Sequence, residues 1–477
     1  MTDYKFKTKP FQHQRDAWEV SKDATGYALF MEMGTGKTKV ALDTAAYLYD
    51  TGKIGALLVF GNKGSYANWI TKEIPIHMPD HISTNCVLWT GMSSKKKTAE
   101  YMTLFQPTLH LQVLVMNIEA LAFDSGVKMA ERFASCHNAM CVVDESTTIK
   151  NPKAARTKAI MRLRDLCKYR RVMTGSPVTN SPLDLWSQIN FIGQNFLRFS
   201  SFFAFRARYA NMITMQNSQR SYQKIVSYRN LDELNDKIKA YSFLVKKEDC
   251  LDLPAKIYQR WDVELTEEQQ KLYKSLKEQA IAELGGESVV AAPLVITRLL
   301  RLHQLTCGHL TDTDGKVHPV KNNRMAALLD ILEETQGKVL IWAVYRADIQ
   351  AIEKTLKETY GPESTVSYYG DTDNADREAA VEGIQSGDTR FFVGNPRTGG
   401  YGITLTAATT VIYYSNTYQY EVRIQSEDRA HRIGQTKSVT YIDLVSPGTI
   451  DEKILKALSQ KHSIAEEITA GGWQDLF

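Results

Sequence analysis

The chain has 477 residues, of which 43% are hydrophobic and 23% charged, with a formal net charge of +4. That length is too great for one hydrophobic core and predicts two to four domains of a soluble globular type. No apolar run is long enough to cross a bilayer, and Met1-Thr2-Asp3-Tyr4-Lys5 lacks the charged-then-apolar order of a secretory signal, so neither a membrane partner nor export is expected.

The expected location is the cytoplasm of a prokaryotic or virus-infected cell, or the nucleus in a eukaryote. The six cysteines, none in C-x-x-C spacing, read as reduced. The slight basicity does not by itself imply nucleic acid, and Lys95-Lys96-Lys97 reads as a solvated loop.

From Gly26 to Gly175, short apolar runs recur between helical stretches: Tyr27 to Phe30, Ala56 to Phe60, Leu111 to Met116 and Ala139 to Val143. Continuous apolar strands of this kind predict a parallel sheet covered on both faces. The first strand runs into Met31-Glu32-Met33-Gly34-Thr35-Gly36-Lys37-Thr38, followed by a helical stretch from Val40 to Tyr49. Glycines at 34 and 36 let backbone N–H groups around Thr35 approach phosphate oxygens at a helix N-terminus. Lys37 would reach the β- and γ-phosphates of a nucleotide and the Thr38 hydroxyl would bind magnesium. The strand Cys141-Val142-Val143 ends in Asp144-Glu145. Asp144 would hold the same magnesium, and Glu145 would orient or deprotonate the attacking water.

Residues 183–250 are aromatic-rich and helical in period, with Trp186, Phe191, Phe196, Phe199, Phe202, Phe203, Phe205 and Tyr209 read as core in preference to a partner or DNA surface. Residues 266–310 also read as helical, opened by a capping box at Thr266 to Gln269 and broken at Gly285-Gly286 and Pro293. His303, Cys307, His309 and His318 lie close in sequence, but one thiolate with loose histidine spacing reads as packing rather than zinc.

A second strand-and-helix rhythm runs from Lys338 to Val445, with strands at Val339 to Trp342, Thr365 to Tyr369, Phe391 to Val393, Thr410 to Tyr414 and Val439 to Leu444. Gln425 to Gln435 reads as one helix ended by Gly434, which would set Gln425, Arg429 and Arg432 on a shared face. Two arginines presented together suit the charge that develops on a γ-phosphate during hydrolysis. The predicted fold class is α/β, with two RecA-like P-loop lobes and helical insertions. The expected divisions are 1–182, first ATP-binding lobe; 183–254, its helical insertion; 255–325, insertion and linker; 326–448, second lobe; and 449–477, C-terminal helix and tail.

Together these motifs resemble the SWI/SNF-like ATPases of helicase superfamily two, from about Phe11 to Leu458. Phe11-Gln12-His13-Gln14 is similar to the family's opening glutamine motif, where Gln14 would read adenine. Met31 to Thr38 resembles D-E-M-G-L-G-K-T, and Leu57 to Phe60 with Trp69 and Glu73 resembles the next motif. Asp144 to Asn151 resembles the D-E-A-H box with its trailing I-K-N, and Thr174-Gly175-Ser176-Pro177, with Asn180 behind it, resembles T-G-T-P. Lys338 to Tyr345 resembles K-V-L-I-F, and Gly399 to Leu405 resembles G-G-x-G-I-N-L, which adds Gly402 to the nucleotide set. Asp428 to Gln435 matches the family's D-R-A-H-R-I-G-Q letter for letter.

Ser146 and Thr147 depart from the box, Thr404 replaces an asparagine, Tyr418 a tryptophan, and Lys246-Lys247 an arginine pair. The acids and arginines needed for hydrolysis are kept.

The resemblance implies a DNA-dependent ATPase using ATP and magnesium. It would be a monomeric translocase on double-stranded DNA that closes lobe two over ATP held by lobe one and remodels or displaces other DNA-bound proteins or branched DNA. It also implies backbone contacts to DNA from Lys63, Asn117, Lys150, Tyr345, Arg397 and Thr404. A strand-separating helicase and an ATP-gated DNA clamp with weak turnover are the alternatives. Residues 1–10 and 470–477 are the only additions expected beyond the motor.

Overall fold

The structure, a computed structural model, describes residues 4–470 except 64, 92–93, 180, 218–219, 251–252, 285–290, 313 and 400–401. The Gly285-Gly286 break, Asn180, Gly400 and Tyr401 therefore lie outside the described residues, as does the tail beyond 470. The chain divides into two compact units, Met1–Asp252 with Ser463–Phe477, and Leu253–His462.

The first unit is built on a seven-stranded sheet. Its strands are β1 (Gly26–Met31), β2 (Ala56–Gly61), β3 (Thr84–Trp89), β4 (Leu111–Asn117), β5 (Ala139–Asp144), β6 (Tyr169–Thr174) and β9 (Ser242–Val245), in the order β3-β4-β2-β5-β6-β1-β9. Every neighbouring pair is parallel. Alternate residues of one strand enter different cores. Ala28, Phe30, Leu58 and Phe60 belong to one cluster, and Leu29, Met31, Leu57 and Val59 to the other. This is why β1 and β2 read as unbroken apolar runs: both faces are covered, so no position is left for a polar residue.

In the second unit the sheet order is β10-β17-β16-β13-β15-β14, again parallel throughout. The strands are β10 (Lys256–Asp262), β13 (Lys338–Trp342), β14 (Thr365–Tyr368), β15 (Phe391–Gly394), β16 (Ala408–Tyr413) and β17 (Val439–Val445). Val339 and Ile341 enter one core, Leu340 and Trp342 the other. The unit also carries a short hairpin of β11 (His309–Thr311) and β12 (Val317–Pro319). Two parallel sheets flanked by helices are the expected RecA-like lobes.

Three expectations of local structure are corrected. The stretch 183–250 contains helices Leu185–Ile192, Phe202–Tyr209 and Leu231–Lys239, but also an antiparallel ribbon of β7 (Ala210–Asn217) and β8 (Arg220–Tyr228), and the edge strand β9. Ile213, Thr214, Ile225 and Val226 are β-branched and favour a pleated surface over a helix. The stretch 255–325 opens with β10, which pairs with β17 from Lys256↔Val439 to Asp262↔Val445. Lys95–Lys97 starts a helix, Lys95–Met102, whose N-cap Ser94 accepts a bond from Lys97 N. The aromatic positions Trp186, Phe191, Phe205 and Tyr209 are buried, while Phe203 is exposed.

Candidate active site

Parallel strands bring all their C-terminal ends to one edge of a sheet, where ligands bind in folds of this kind. At that edge of the first unit, β1 turns through Glu32 to Gly36 into helix Lys37–Asp50. Gly34 and Gly36 have φ of +83° and +91°, and a Cβ on Gly36 would lie 2.2 Å from Gln14 Nε2. The loop therefore needs glycine for its backbone and for its neighbour. Gln14, expected to read adenine, also braces this loop: its Oε1 accepts from Phe11 N at 3.0 Å and its Nε2 donates to the Thr35 carbonyl at 2.9 Å. Thr35 is buried, and its hydroxyl donates to the Glu32 carbonyl at 2.7 Å.

Helix Lys37–Asp50 starts with no side-chain cap and no acid in its first turn. Its N-terminus thus fits an anion. Lys37 is buried with Nζ donating to the Glu32 carbonyl at 3.2 Å, and Thr38 is half-buried beside it. Glu32 is held from the sheet edge: its N donates to Val245 O at 2.9 Å, and its carboxylate accepts from Lys247 N at 2.7 Å. Lys247, of the Lys246-Lys247 pair, is therefore a support of the phosphate loop.

Asp144 ends β5 on the same edge. Its carboxylate accepts from Glu145 N at 3.0 Å and from Trp69 Nε1 at 3.2 Å. Burial raises the Asp144 carboxyl above its ordinary range, and the charge of Lys37 opposes that rise. An acid and an ammonium in one field, beside an uncapped helix start, fit a nucleotide with a divalent cation. Glu145 has φ of +49°, a left-handed backbone that costs a non-glycine residue about 1–2 kcal/mol. Its carboxylate accepts from Thr174 Oγ1 at 3.4 Å. Gly175 follows, and a Cβ there would come 3.0 Å from Met33 N, so the Thr174–Pro177 segment lies directly against the phosphate loop.

In the second unit, the helix expected over Gln425 to Gly434 ends early. It spans Tyr420–Glu427, and Arg429 and Arg432 stand on the turns that follow. Arg429 Nε donates to Gln425 O at 2.9 Å, taking the carbonyl that a continued helix would need for Arg429 N–H. The two arginines still converge, on the Ile403 carbonyl, at 3.0 Å from Arg429 and 3.4 Å from Arg432. Gln425 is buried in the last turn of the helix, and Gly402 adopts φ of +74° just before Ile403.

The arginine segment is anchored by a buried network. Arg423 donates to Glu427 at 2.7 Å, pairs with Asp443 on β17 and stacks over Tyr413 at 3.5 Å. Glu427 also accepts from Tyr258 at 2.7 Å and Lys256 at 3.1 Å, both on β10. Burial alone would raise the Glu427 carboxyl, but Lys256 and Arg423 outweigh it and hold it at about 2.

Residues 11–309 match the SNF2-related domain, and residues 321–434 match the helicase conserved C-terminal domain. The chain belongs to the SNF2-related family of helicase-like ATPases. It is 26% identical over 449 residues to an uncharacterized ATP-dependent helicase of Mycoplasma genitalium, covering 93% of this chain and 40% of that protein. It is 25% identical over 476 residues to the ISWI chromatin-remodeling complex ATPase ISW1 of Saccharomyces cerevisiae, covering 95% of this chain and 40% of the other. The chain thus spans about two fifths of the length of these relatives. Among solved structures it is similar to the Sulfolobus solfataricus SWI2/SNF2 ATPase core in complex with dsDNA, at 23% identity and a TM-score of 0.43, covering 100% of this chain and 95% of that one.

The six residues expected to contact DNA distribute as follows. Lys63 is exposed just past β2, and Asn117 ends the adjacent β4, its side chain accepting from Glu119 N at 3.0 Å. Lys150 donates to Thr179 Oγ1, which in turn bonds Asp184 at 3.0 Å. All three belong to the strand-end edge that carries the phosphate loop. In the second unit Tyr345 shares its hydroxyl with His303 Nδ1 at 2.9 Å, and exposed Arg397 donates to Gln419 at 2.8 Å. Thr404 is half-buried between Ile403 and Leu405. His309 pairs with Asp348 at 3.0 Å and meets Tyr345 edge-on, the same ring whose hydroxyl bonds His303; His318 pairs with Asp312 at 2.8 Å, and Cys307 is buried.

The departure at Ser146 has a partner that the motifs did not show. Ser146 Oγ donates to Gln188 Oε1 at 2.7 Å, and Gln188 Nε2 donates to the carbonyls of Pro177 at 2.8 Å and Asp184 at 2.9 Å. Gln188 therefore ties the acidic box to the Thr174–Pro177 segment. The one sequence signal for it is a polar pair, Ser187-Gln188, within the mostly apolar helix Leu185–Ile192.

Proposed function

We propose that the chain hydrolyses ATP and uses it to translocate along double-stranded DNA as a monomer, displacing or remodelling what is bound there. The observation that carries this reading is the paired equipment: a phosphate loop with Lys37, Asp144 and Glu145 in one unit, and two arginines converging on one carbonyl in the other. ATP supplies the phosphoanhydride bond whose cleavage drives the cycle. Lys37 and the N–H groups at the start of its helix hold the phosphates, and Gln14 reads the base. Thr38 and Asp144 are the groups that fit magnesium. Glu145 orients the attacking water and accepts its proton. Arg429 and Arg432 donate to the charge that grows on the γ-phosphate, and Gly402 and Gln425 shape the loop that presents them.

Such a motor follows backbone phosphates, so its contacts carry little sequence information. Lys63, Asn117, Lys150, Tyr345, Arg397 and Thr404 are the proposed contacts. The deciding measurement is steady-state ATPase rate with no nucleic acid, single-stranded DNA, duplex DNA and duplex RNA at one fixed low salt, because backbone binding weakens steeply with salt. Stimulation by duplex DNA alone supports the translocase. Stimulation by single strands moves the reading to a strand-separating helicase. Tight DNA binding without stimulation moves it to an ATP-gated clamp.

A further inference from the structure

Asp144 is the strand-end carboxylate that fits magnesium, and two donors from different parts of the chain hold it. Glu145 N donates to Oδ1 at 3.0 Å and Trp69 Nε1 to Oδ2 at 3.2 Å. The terminal torsion of an aspartate is broad and roughly two-fold, so a single bond leaves the carboxylate free to turn. Bonds to both oxygens fix its plane. A carboxylate has about four lone-pair sites, so about two remain for a cation or for water on that cation.

Glu145 N comes with the neighbouring residue, whereas Trp69 comes from another element. β2 runs beside β5 with Phe60 opposite Val143, so Gly61 follows on one strand where Asp144 follows on the other. A Cβ on Gly61 would lie 3.1 Å from Tyr66 Cβ, so Tyr66 lies directly over the end of β2. The Tyr66 carbonyl accepts from Trp69 N at 3.3 Å, and Trp69 opens a π-helical turn, Trp69–Glu73. Wide turns of this kind are frequent at functional sites. The indole is buried, and its ring joins the core that holds Met31 and Val59. The ring is thus fixed by packing while its N–H meets the carboxylate.

Burial by itself does not impose this partner. A buried indole usually finds an acceptor. Trp18 and Trp342 are at least as deeply buried, yet their Nε1 atoms meet no protein acceptor. The fold therefore tolerates a buried indole N–H without one, and at Trp69 it supplies the acid beside the phosphate loop.

We propose that Trp69 is a positioning residue for magnesium: its indole N–H holds the Asp144 carboxylate in the orientation that meets the cation of a bound nucleotide. This rests on the ATP-and-magnesium reading given above. Trp69 acts through Asp144, so its loss weakens the hold on the cation and leaves the nucleotide's own contacts with Lys37 and the glycine loop in place. Removing a group that orients a metal-binding side chain typically costs about 10- to 100-fold in metal affinity.

The test titrates the full chain with a fluorescent non-hydrolysable ATP analogue, first in EDTA and then across a Mg²⁺ series. Trp69→Phe keeps an apolar ring and removes the donor. It is expected to raise the Mg²⁺ concentration for half-maximal binding about 10- to 100-fold, with affinity in EDTA within about 2-fold of wild type. Trp69→3-benzothienylalanine puts sulfur where the N–H stood and keeps the shape of the ring, and is expected to do the same. Asp144→Asn is expected to raise that concentration by itself. Adding Trp69→Phe to it is expected to change the value by less than about 2-fold, because both act at one carboxylate. Should Trp69→Phe also lose affinity in EDTA, through a cavity in the core, the benzothienyl variant decides. An unchanged Mg²⁺ requirement in that variant, in a chain whose wild type binds the analogue in a Mg²⁺-dependent way, overturns the role of Trp69 and leaves the ATP reading standing. Affinity in EDTA that falls alike in both variants does the same, since it marks Trp69 as a support of the fold. A further rise in the double variant, as large as that of Trp69→Phe alone, places its action away from Asp144 and overturns the proposal. A wild-type chain that binds no analogue, or binds it without regard to Mg²⁺, overturns the ATP-and-magnesium reading and this one with it.

Discussion

Glu145 holds a left-handed backbone with its carboxylate toward Thr174, immediately after Asp144. Glu145→Gln keeps size and hydrogen bonding but removes the base. Turnover is expected to fall about 10²- to 10⁴-fold with ATP affinity retained, measured by single-turnover hydrolysis and nucleotide titration. Arg432→Ala is expected to leave ATP binding within a few-fold and to lower turnover about 10³-fold or more; normal turnover in that variant would sink the arginine's role. Lys37, Thr38, Asp144 and Glu145 were legible in the sequence because each sits in a short motif whose meaning is local. Arg429 and Arg432 were legible as a pair, but their geometry was not. A helix was expected to align them, and instead a side-chain bond from Arg429 to Gln425 O ends the helix and both turn toward Ile403. Gln188 and Lys247 were not legible, since each takes its role from a partner far away in the chain.

The elements around the site are coupled through few contacts. Gln188 is buried and bonds Ser146, Pro177 and Asp184. Gln188→Leu removes those bonds and is expected to cost about 1–3 kcal/mol in urea unfolding of the chain. Adding Ser146→Ala to it should cost less than the sum of the two single changes, because they share one bond. Strict additivity would show that the pair does not interact. The strands of both sheets that are buried on two faces, such as β1, β2, β4 and β13, were legible as apolar runs. Among the edge strands β14 was legible, but β9 and β10 were not: β10 leaves Ile257 and Tyr258 exposed and β9 has only four residues. The β7–β8 ribbon was masked by its many aromatic and apolar neighbours, which suit a helix period equally well.

At the scale of the whole molecule, acid is expected to weaken the second unit through His303. Burial pushes this imidazole down to about 4, with Arg324 and His309 helping and Asp451 opposing. Its ordinary value is near 6.5, so the unfolded chain takes up a proton that the folded chain refuses. The stability is therefore complete above about pH 6.5 and is lost as pH falls toward 4. Between pH 7 and pH 5 the loss from this group is about 2 kcal/mol. Urea unfolding at the two pH values should show it in the wild type and show a smaller loss in His303→Gln; equal losses would remove His303 as the cause.

The sequence by itself determined the family, the two parallel sheets and the glycine loop that runs from β1 into the helix at Lys37, because motifs and buried strands are encoded within a few neighbouring residues. Tertiary structure alone decided how those residues are held. The backbone N–H of Lys247 fixes the phosphate loop from the sheet edge, Gln188 joins the acidic box to the following segment, and Arg423 with Asp443 anchors the arginine turn. Each of these depends on which distant strand or helix comes alongside, and strand pairing is set by packing over the whole fold rather than by local preference.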